Sequence, residues 1–97
     1  MRATERAIER SSVFKRDFKR EAKGQHHATL DADLWPVLAA LANDRVLEPK
    51  YREHELTGDW KGYRECHVKP DLLLIYRKCD ADTLRLARLD SHSEIFS

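Results

Sequence analysis

The sequence predicts a small α+β domain in which two N-terminal helices pack on one face of an antiparallel sheet of about four strands. Three observations predict this class. The chain has 97 residues, which suffices for one domain (1–97) but not for two. Two segments with helical spacing of apolar residues lie in the first half, and three closely spaced strand patterns lie in the second half. The expected order of elements is β-α-α-β-β-β.

The first elements are a short strand and a capped helix. Residues 7–9, Ala-Ile-Glu, are a strand candidate. Ser11 or Ser12 can cap a helix that begins near Val13, because a serine hydroxyl accepts a hydrogen bond from a free N–H of the first helical turn.

This first helix is apolar along a narrow stripe and basic elsewhere. Phe14 and Phe18 are four residues apart and share one face. Gly24 is predicted to end the helix. The cations on its remaining surface are Lys15, Arg16, Lys19, Arg20 and Lys23. On an arbitrary helix such a face is more often merely solvated than bound to nucleic acid.

A second helix follows a turn at residues 25–28. His26 and His27 in that turn are expected to be exposed and without function, because neighbouring side chains point in different directions. Pro36 is compatible with the helix if the first helical turn starts near Asp33 or slightly earlier, where a missing N–H costs nothing. The apolar face is formed by Leu34, Val37, Leu38, Leu41 and Ala42.

The second half reads as a loop followed by three strands. Residues 46–55 have mixed polarity and form a predicted surface loop that carries His54. The strands are predicted at 60–68, 72–78 and 83–89, and their short connections indicate an antiparallel meander. The continuous apolar run at 72–75 indicates a central strand that is covered on both sides.

Side chains of the first of these strands divide between two faces by the period of two. Residues Trp60, Gly62, Arg64, Cys66 and Val68 share one face, and Lys61, Tyr63, Glu65 and His67 share the other. The second set is polar enough to be the open face. Cys66 and Cys79 lack the spacing of a metal or redox motif, and each is expected to be a buried free thiol.

Charge is unevenly distributed along the chain although the totals nearly balance, with 18 basic and 17 acidic residues. The first thirty residues carry eight Lys/Arg against four Asp/Glu, whereas residues 31–60 carry three against seven. A phosphate-facing surface is therefore expected in the N-terminal third. No apolar run is long enough to span a membrane, and the N-terminus lacks the apolar middle of a signal peptide, so a cytoplasmic location is expected.

An ordered set of motifs in the second half resembles one known family. The set comprises His54, the run Gly-Asp-Trp-Lys-Gly-Tyr-Arg at 58–64, His-Val-Lys-Pro-Asp at 67–71, an apolar run ending in Ile-Tyr at 75–76, and His-Ser-Glu-Ile-Phe at 92–96. It resembles the YafQ branch of the RelE/ParE superfamily of bacterial toxins. The resemblance implies a ribosome-dependent mRNA endoribonuclease, with a cognate antitoxin protein, the 70S ribosome, mRNA and rRNA as partners.

The resemblance also implies the roles of individual residues. His92 and Asp71 are expected to transfer protons, with His67 and His54 in support. It does not indicate which residue is the base and which the acid. The basic first helix is expected to contact rRNA, because clustered cations gain from counterion release.

Four further residues are expected to bind substrate. Phe96 matches an aromatic residue that stacks on an mRNA base, although it could equally close the end of the core. Arg88 and Lys61 are candidates for holding the scissile phosphate, and the fork of an arginine favours Arg88. Tyr63 either lines the groove or packs its ring in the sheet.

Three other functions compete with this prediction. His54, His67, His92 and Asp71 are possible zinc ligands by type, but no pair has the helical spacing of a metallohydrolase motif, so neither a metal nor another cofactor is expected. A second possibility is a ParE-like toxin that inhibits gyrase by binding. The third is an inactive binding module, in which His92 and Asp71 would be idle.

Overall fold

The computed structural model describes residues 5–96; the remaining terminal residues, including the first four of the segment compared with a signal peptide, lie outside that range. The strands are β1 (Ala7–Arg10), β2 (His54–Glu55), β3 (Arg64–Lys69), β4 (Leu72–Lys78) and β5 (Thr83–Asp90). The helices are α1 (Ser12–Glu21), α2 (Leu30–Ala42) and α3 (His92–Phe96). Short 3-10 turns lie at Pro49–Tyr51 and Gly58–Trp60. The described residues contain no helix long and apolar enough to cross a membrane.

The five strands form one mixed sheet in the order β1-β5-β4-β3-β2. The predicted α+β class is confirmed, but two details of the sheet were wrong. β1 pairs with β5 in parallel rather than antiparallel fashion. β2, inside the predicted loop, adds a fifth strand at the edge beside β3.

The predicted strand at 60–68 begins only at Arg64. Gly58 and Gly62 have positive φ values of 67° and 94°, which glycine adopts without steric cost. The chain between them therefore turns instead of extending, and Trp60 packs with Tyr63 on the open face, not with Cys66 on the opposite one. Within β3 the predicted division of faces is confirmed.

α1 is capped as predicted, and its end differs slightly. The hydroxyl of Ser11 accepts a hydrogen bond from the N–H of Phe14 at 2.9 Å and donates one to the carbonyl of Ala87 at 2.9 Å. The helix ends at Glu21, and irregular turns continue past Gly24.

α2 begins three residues earlier than Asp33, so the placement of Pro36 in the first turn was wrong. Leu30 is buried and extends the apolar stripe of the helix by one turn, which explains the early start. Pro36 lies in the second turn and leaves the carbonyl of Ala32 without its helical partner. Both residues are exposed, so solvent can satisfy that carbonyl.

The helices pack on one face of the sheet, as predicted. Their apolar side chains meet those of Cys66 and Val68 on β3 and the leucines of β4 and β5. Ala87 has no partner in the β4–β5 pairing, and this bulge lets both Leu86 and Leu89 face the helices although they are three residues apart.

The open face carries a smaller apolar cluster. It contains Leu56, Ile75 and Ala87, with Trp60, Tyr63 and Ile95 packed against it. β4 is therefore covered on both sides, as its uninterrupted apolar run predicts. Cys66 is buried as expected, but Cys79 is exposed because it lies in the turn after β4.

Candidate active site

Two histidines and a glutamate meet where β2 and β3 pair. His54 and Glu65 are register partners, and Nε2 of His54 lies 3.2 Å from Oε2 of Glu65. His67 is two residues from Glu65 on the same strand face, and its Nε2 lies 3.8 Å from the same oxygen. One carboxylate oxygen thus contacts both rings.

The other nitrogen of each ring faces a backbone carbonyl. Nδ1 of His54 is 3.0 Å from the carbonyl oxygen of Arg52, and Nδ1 of His67 is 3.3 Å from that of Pro70. A carbonyl only accepts hydrogen bonds, so Nδ1 carries the proton in each ring. Both nitrogens of each ring therefore face oxygen atoms.

Glu65 was assigned to the polar open face by its alternation, and no function was predicted for it. In the fold it is only 4% exposed, and its second oxygen, Oε1, is buried with no hydrogen-bond partner among residues 5–96. The burial arises because β2 covers the edge of β3. Nothing in the sequence pattern of residues 46–55 predicts that strand.

His92 and Phe96 lie together on α3. Their ring centroids are 4.9 Å apart at 44°, and both side chains are exposed. The same short helix packs Ile95 into the open-face apolar cluster. α3 therefore holds this ring pair on the open face of the sheet.

The end of β5 leads directly into α3 and is fixed by polar contacts. Oδ1 of Asp90 accepts a hydrogen bond from the N–H of Ser91 at 2.8 Å. The hydroxyl of Ser91 accepts one from the N–H of Glu94 at 3.3 Å. These contacts orient the helix on which His92 lies.

Arg88 is held between two carboxylates. Its Nε donates to Asp17 at 2.8 Å, and its Nη2 donates to Asp90 at 3.1 Å. Asp17, on α1, is fully buried and also accepts from the N–H of Leu89 at 3.0 Å. Arg88 is thus fixed beside the sheet edge rather than free to swing.

Arg20, predicted to contact rRNA, belongs to the same network. It donates to Asp17 at 3.1 Å and to the carbonyl of Leu89 at 3.2 Å, and it pairs with Asp90 at 3.1 Å. Its neighbours on α1 differ, because Lys15, Arg16, Lys19 and Lys23 are exposed.

Asp71 lies in the β3–β4 turn near His67, but its side chain contacts the turn before α2. Its carboxylate is 3.4 Å from Nε2 of His26 and 3.5 Å from Nε2 of Gln25. His26 is therefore partly covered and paired with a predicted site residue, contrary to the prediction that it is exposed and inert. His27 is exposed.

The remaining predicted substrate-binding residues flank the open-face cluster. Lys61 is exposed at the end of the Gly58–Trp60 turn. Tyr63 is half-buried, its ring meets that of Trp60 edge-on at 5.4 Å, and Arg77 lies 5.8 Å above it. These contacts support the packing role for Tyr63.

A polar groove of about 610 Å³ adjoins His67. Its cations are Lys50, Arg52 and Lys69, and two of them come from the segment that is acidic in sequence. Lys69 pairs with Asp33 across the groove, and this pairing lowers the pKa of the Asp33 carboxyl. Sequence reasoning missed the groove because folding, not spacing, brings its cations together.

Neither a thiol nor a metal site emerges from the described residues. Burial raises the pKa of the Cys66 thiol, and the nearby carboxylates of Glu53 and Glu65 raise it further, so Cys66 is not a thiolate nucleophile. Within residues 5–96 no group of three or more His, Cys, Asp or Glu side chains has the arrangement of a metal site.

The motifs, the fold and the polar clusters agree with one protein family. The model of the family described as the bacterial toxin of type II toxin-antitoxin systems, YafQ, matches residues 6–97. The chain belongs to the YafQ toxin family. The resemblance predicted from the ordered histidine and glycine motifs is thereby confirmed.

Individual YafQ proteins cover nearly the whole chain. The mRNA interferase toxin YafQ of Escherichia coli K12 is 35% identical over 92 residues, which are 95% of this chain and 97% of that protein. A chain of the E. coli DinJ-YafQ toxin-antitoxin complex is 36% identical with a TM-score of 0.82, covering 97% of this chain and all of the other. A metal-bound toxin from Helicobacter pylori is 43% identical with a TM-score of 0.80, covering 96% and 100%.

Proposed function

We propose that this chain is the toxin of a type II pair and acts in the cytoplasm as a ribosome-dependent endoribonuclease on translated mRNA. Family membership supports the class, and relatives carry the name mRNA interferase. The observation that carries the chemistry is the set of histidines on the open face: two share Glu65, and a third stacks on Phe96. A toxin that acted only by binding gyrase would have no use for such a set.

The reaction would be attack of the 2′-hydroxyl on the neighbouring phosphate without a metal. A base takes the 2′-hydroxyl proton, and an acid protonates the departing 5′-oxygen. We assign proton transfer to His92 and Asp71, with His54 and His67 in support. The exposure of His92 leaves its ring accessible to substrate, and Phe96 beside it would stack on a base and align the nucleotide.

Charge on the phosphate would be stabilised by Lys61 and Arg88. Arg88 is oriented by Asp17 and Asp90 before substrate arrives, and a pre-oriented donor costs little reorganisation when charge develops. Lys61 is exposed and can adjust to the bound strand.

Docking on the ribosome would use the exposed cations of α1. Lys15, Arg16, Lys19 and Lys23 form a basic surface suited to rRNA phosphates. Arg20 would contribute less directly, because it holds α1 to the end of β5.

A cognate antitoxin is proposed as the protein partner. An E. coli relative has been solved as the DinJ-YafQ toxin-antitoxin complex, and that chain matches this one over 97% of its length. The antitoxin of this chain would hold it inactive until released.

The test of this function is cleavage of a defined mRNA by the purified protein in a reconstituted translation system. Cleavage should require 70S ribosomes and should survive 1,10-phenanthroline, which removes transition metals and leaves ribosomal Mg²⁺. Cleavage of naked mRNA at the same rate would contradict ribosome dependence. Loss of cleavage with the chelator and its return with added Zn²⁺ or Cu²⁺ would favour a metal mechanism, a relevant alternative because the H. pylori relative binds metal.

A further inference from the structure

Among residues 5–96, Glu65 is the one buried carboxylate in contact with two predicted site histidines, and the proposed cleavage steps give it no role. We propose that Glu65 is a positioning residue: its Oε2 orients His54 and His67 and shares a proton with them, so that the two histidines act as one proton-holding unit. The proposal rests on the proposed cleavage of RNA, because it concerns the same site.

The burial of Glu65 argues that the charge serves a purpose other than stability. Its register partner on β4 is Ile75, an apolar residue of the open-face cluster. Oε1 is buried without a partner among the described residues, a costly arrangement for a carboxylate. An apolar side chain would pack at this position without that cost.

The hydrogen-bond directions place a shared proton at Oε2. The carbonyls of Arg52 and Pro70 take the Nδ1 protons of the two rings, so each Nε2 faces Glu65. A bare nitrogen lone pair and a carboxylate oxygen repel each other at the 3.2 Å that separates His54 from Glu65. A proton between them, on Nε2 or on Oε2, converts the repulsion into attraction.

One oxygen serves two rings, so the titrations of the two rings are coupled. A proton drawn to the contact with His54 weakens the charge that His67 experiences, and the reverse also holds. A second carboxylate close by, that of Glu53, is engaged by Arg64 and by the hydroxyl of Tyr76. Glu65 is therefore the carboxylate that governs the protonation of both rings.

Conservative variants separate charge from shape. Glu65→Gln keeps the length of the side chain, but its amide has no proton to exchange and donates to a bare Nε2. Glu65→Asp keeps the charge and moves the oxygen back by one methylene. The matched control is Glu55→Gln, since Glu55 lies on β2 next to His54 but is exposed and pairs with Arg64 at 3.8 Å.

The experiment measures imidazole ¹⁵N signals of the purified protein and cleavage on ribosomes for these variants. Glu65→Gln should shift Nε2 of His54 to the signal of an unprotonated nitrogen and lower kcat at least about tenfold, with KM within about twofold, since removing a general acid or base costs ~10²- to 10⁴-fold. Glu65→Asp should recover part of the rate, and Glu55→Gln should match wild type.

Unchanged histidine signals in folded Glu65→Gln would overturn the proposal. If Glu65→Gln does not fold, the same decision falls to Glu65→Asp: wild-type signals and rate there would overturn it, and shifted signals with a reduced rate would support it. A wild-type protein that cleaves no RNA would refute the proposed function instead, while the nitrogen signals would still decide whether Glu65 shares a proton.

Discussion

His92 and Phe96 illustrate how much a single residue pair depends on its support. Five residues form α3, too few to be stable alone. Ile95 anchors the helix to the open-face cluster, and the contacts of Asp90 and Ser91 fix where it starts. The ring of His92 thus has a defined place although it is exposed.

Replacing His92 should abolish toxicity while leaving the fold intact. His92→Ala removes an exposed ring and little core volume, so the melting temperature should change little. Loss of a general acid or base lowers the rate by ~10²- to 10⁴-fold. Growth after induction and primer extension on a reporter mRNA measure the effect.

The matched control is His27→Ala, which removes an exposed histidine from the turn before α2. It should arrest growth as wild type does. Equal arrest by His92→Ala and wild type at equal protein level would show that toxicity is independent of His92, and a toxin that acts by binding alone would then be favoured.

At the residue scale the sequence predicted which histidines matter better than it predicted what they touch. His54 and His67 were singled out, but their common partner Glu65 was missed because its burial depends on β2. Asp71 was expected beside His67, yet its carboxylate contacts Gln25 and His26. Such contacts between distant segments have no local pattern.

At the level of elements, strands with strong patterns were predicted closely and pairings between distant segments were not. β4 has the predicted bounds and β5 is one residue longer, because apolar runs bounded by turns are local signals. The parallel pairing of β1 with β5 joins opposite ends of the chain. No local pattern indicates the direction of such a pair.

α1 combines two tasks on its two sides, and its exposed side can be tested alone. Lys15→Gln with Lys19→Gln removes two exposed cations and leaves the Asp17–Arg20 contacts in place. Ribosome affinity should fall, and the log–log salt slope should drop by up to about one unit for each rRNA phosphate that is no longer neutralised. Binding to 70S ribosomes across a salt series measures both.

The control for α1 is Arg45→Gln with Lys78→Gln, which removes the same net charge from the end of α2 and the end of β4. It should leave the salt slope close to wild type. Equal slopes for wild type and the α1 variant would assign the exposed face of α1 to solvent or to the antitoxin.

The whole molecule separates packing from proposed chemistry by the two faces of its sheet. One face is covered by α1 and α2, and the other carries the histidines, α3 and a small apolar cluster. Glu65, Ile75 and Arg88 are register partners across three strands. The histidine cluster and Arg88 therefore lie two strand spacings apart, about 10 Å, with Ile75 between them.

The most direct test of the proposed chemistry is a single 2′-deoxy substitution at the cleaved nucleotide of an mRNA on the ribosome. Attack by the 2′-hydroxyl requires that group, so the unmodified message should yield a 2′,3′-cyclic phosphate and a 5′-hydroxyl, and the deoxy message should remain intact at that position. Cleavage of the deoxy message at the same position would contradict 2′-hydroxyl attack and the histidine-based mechanism with it.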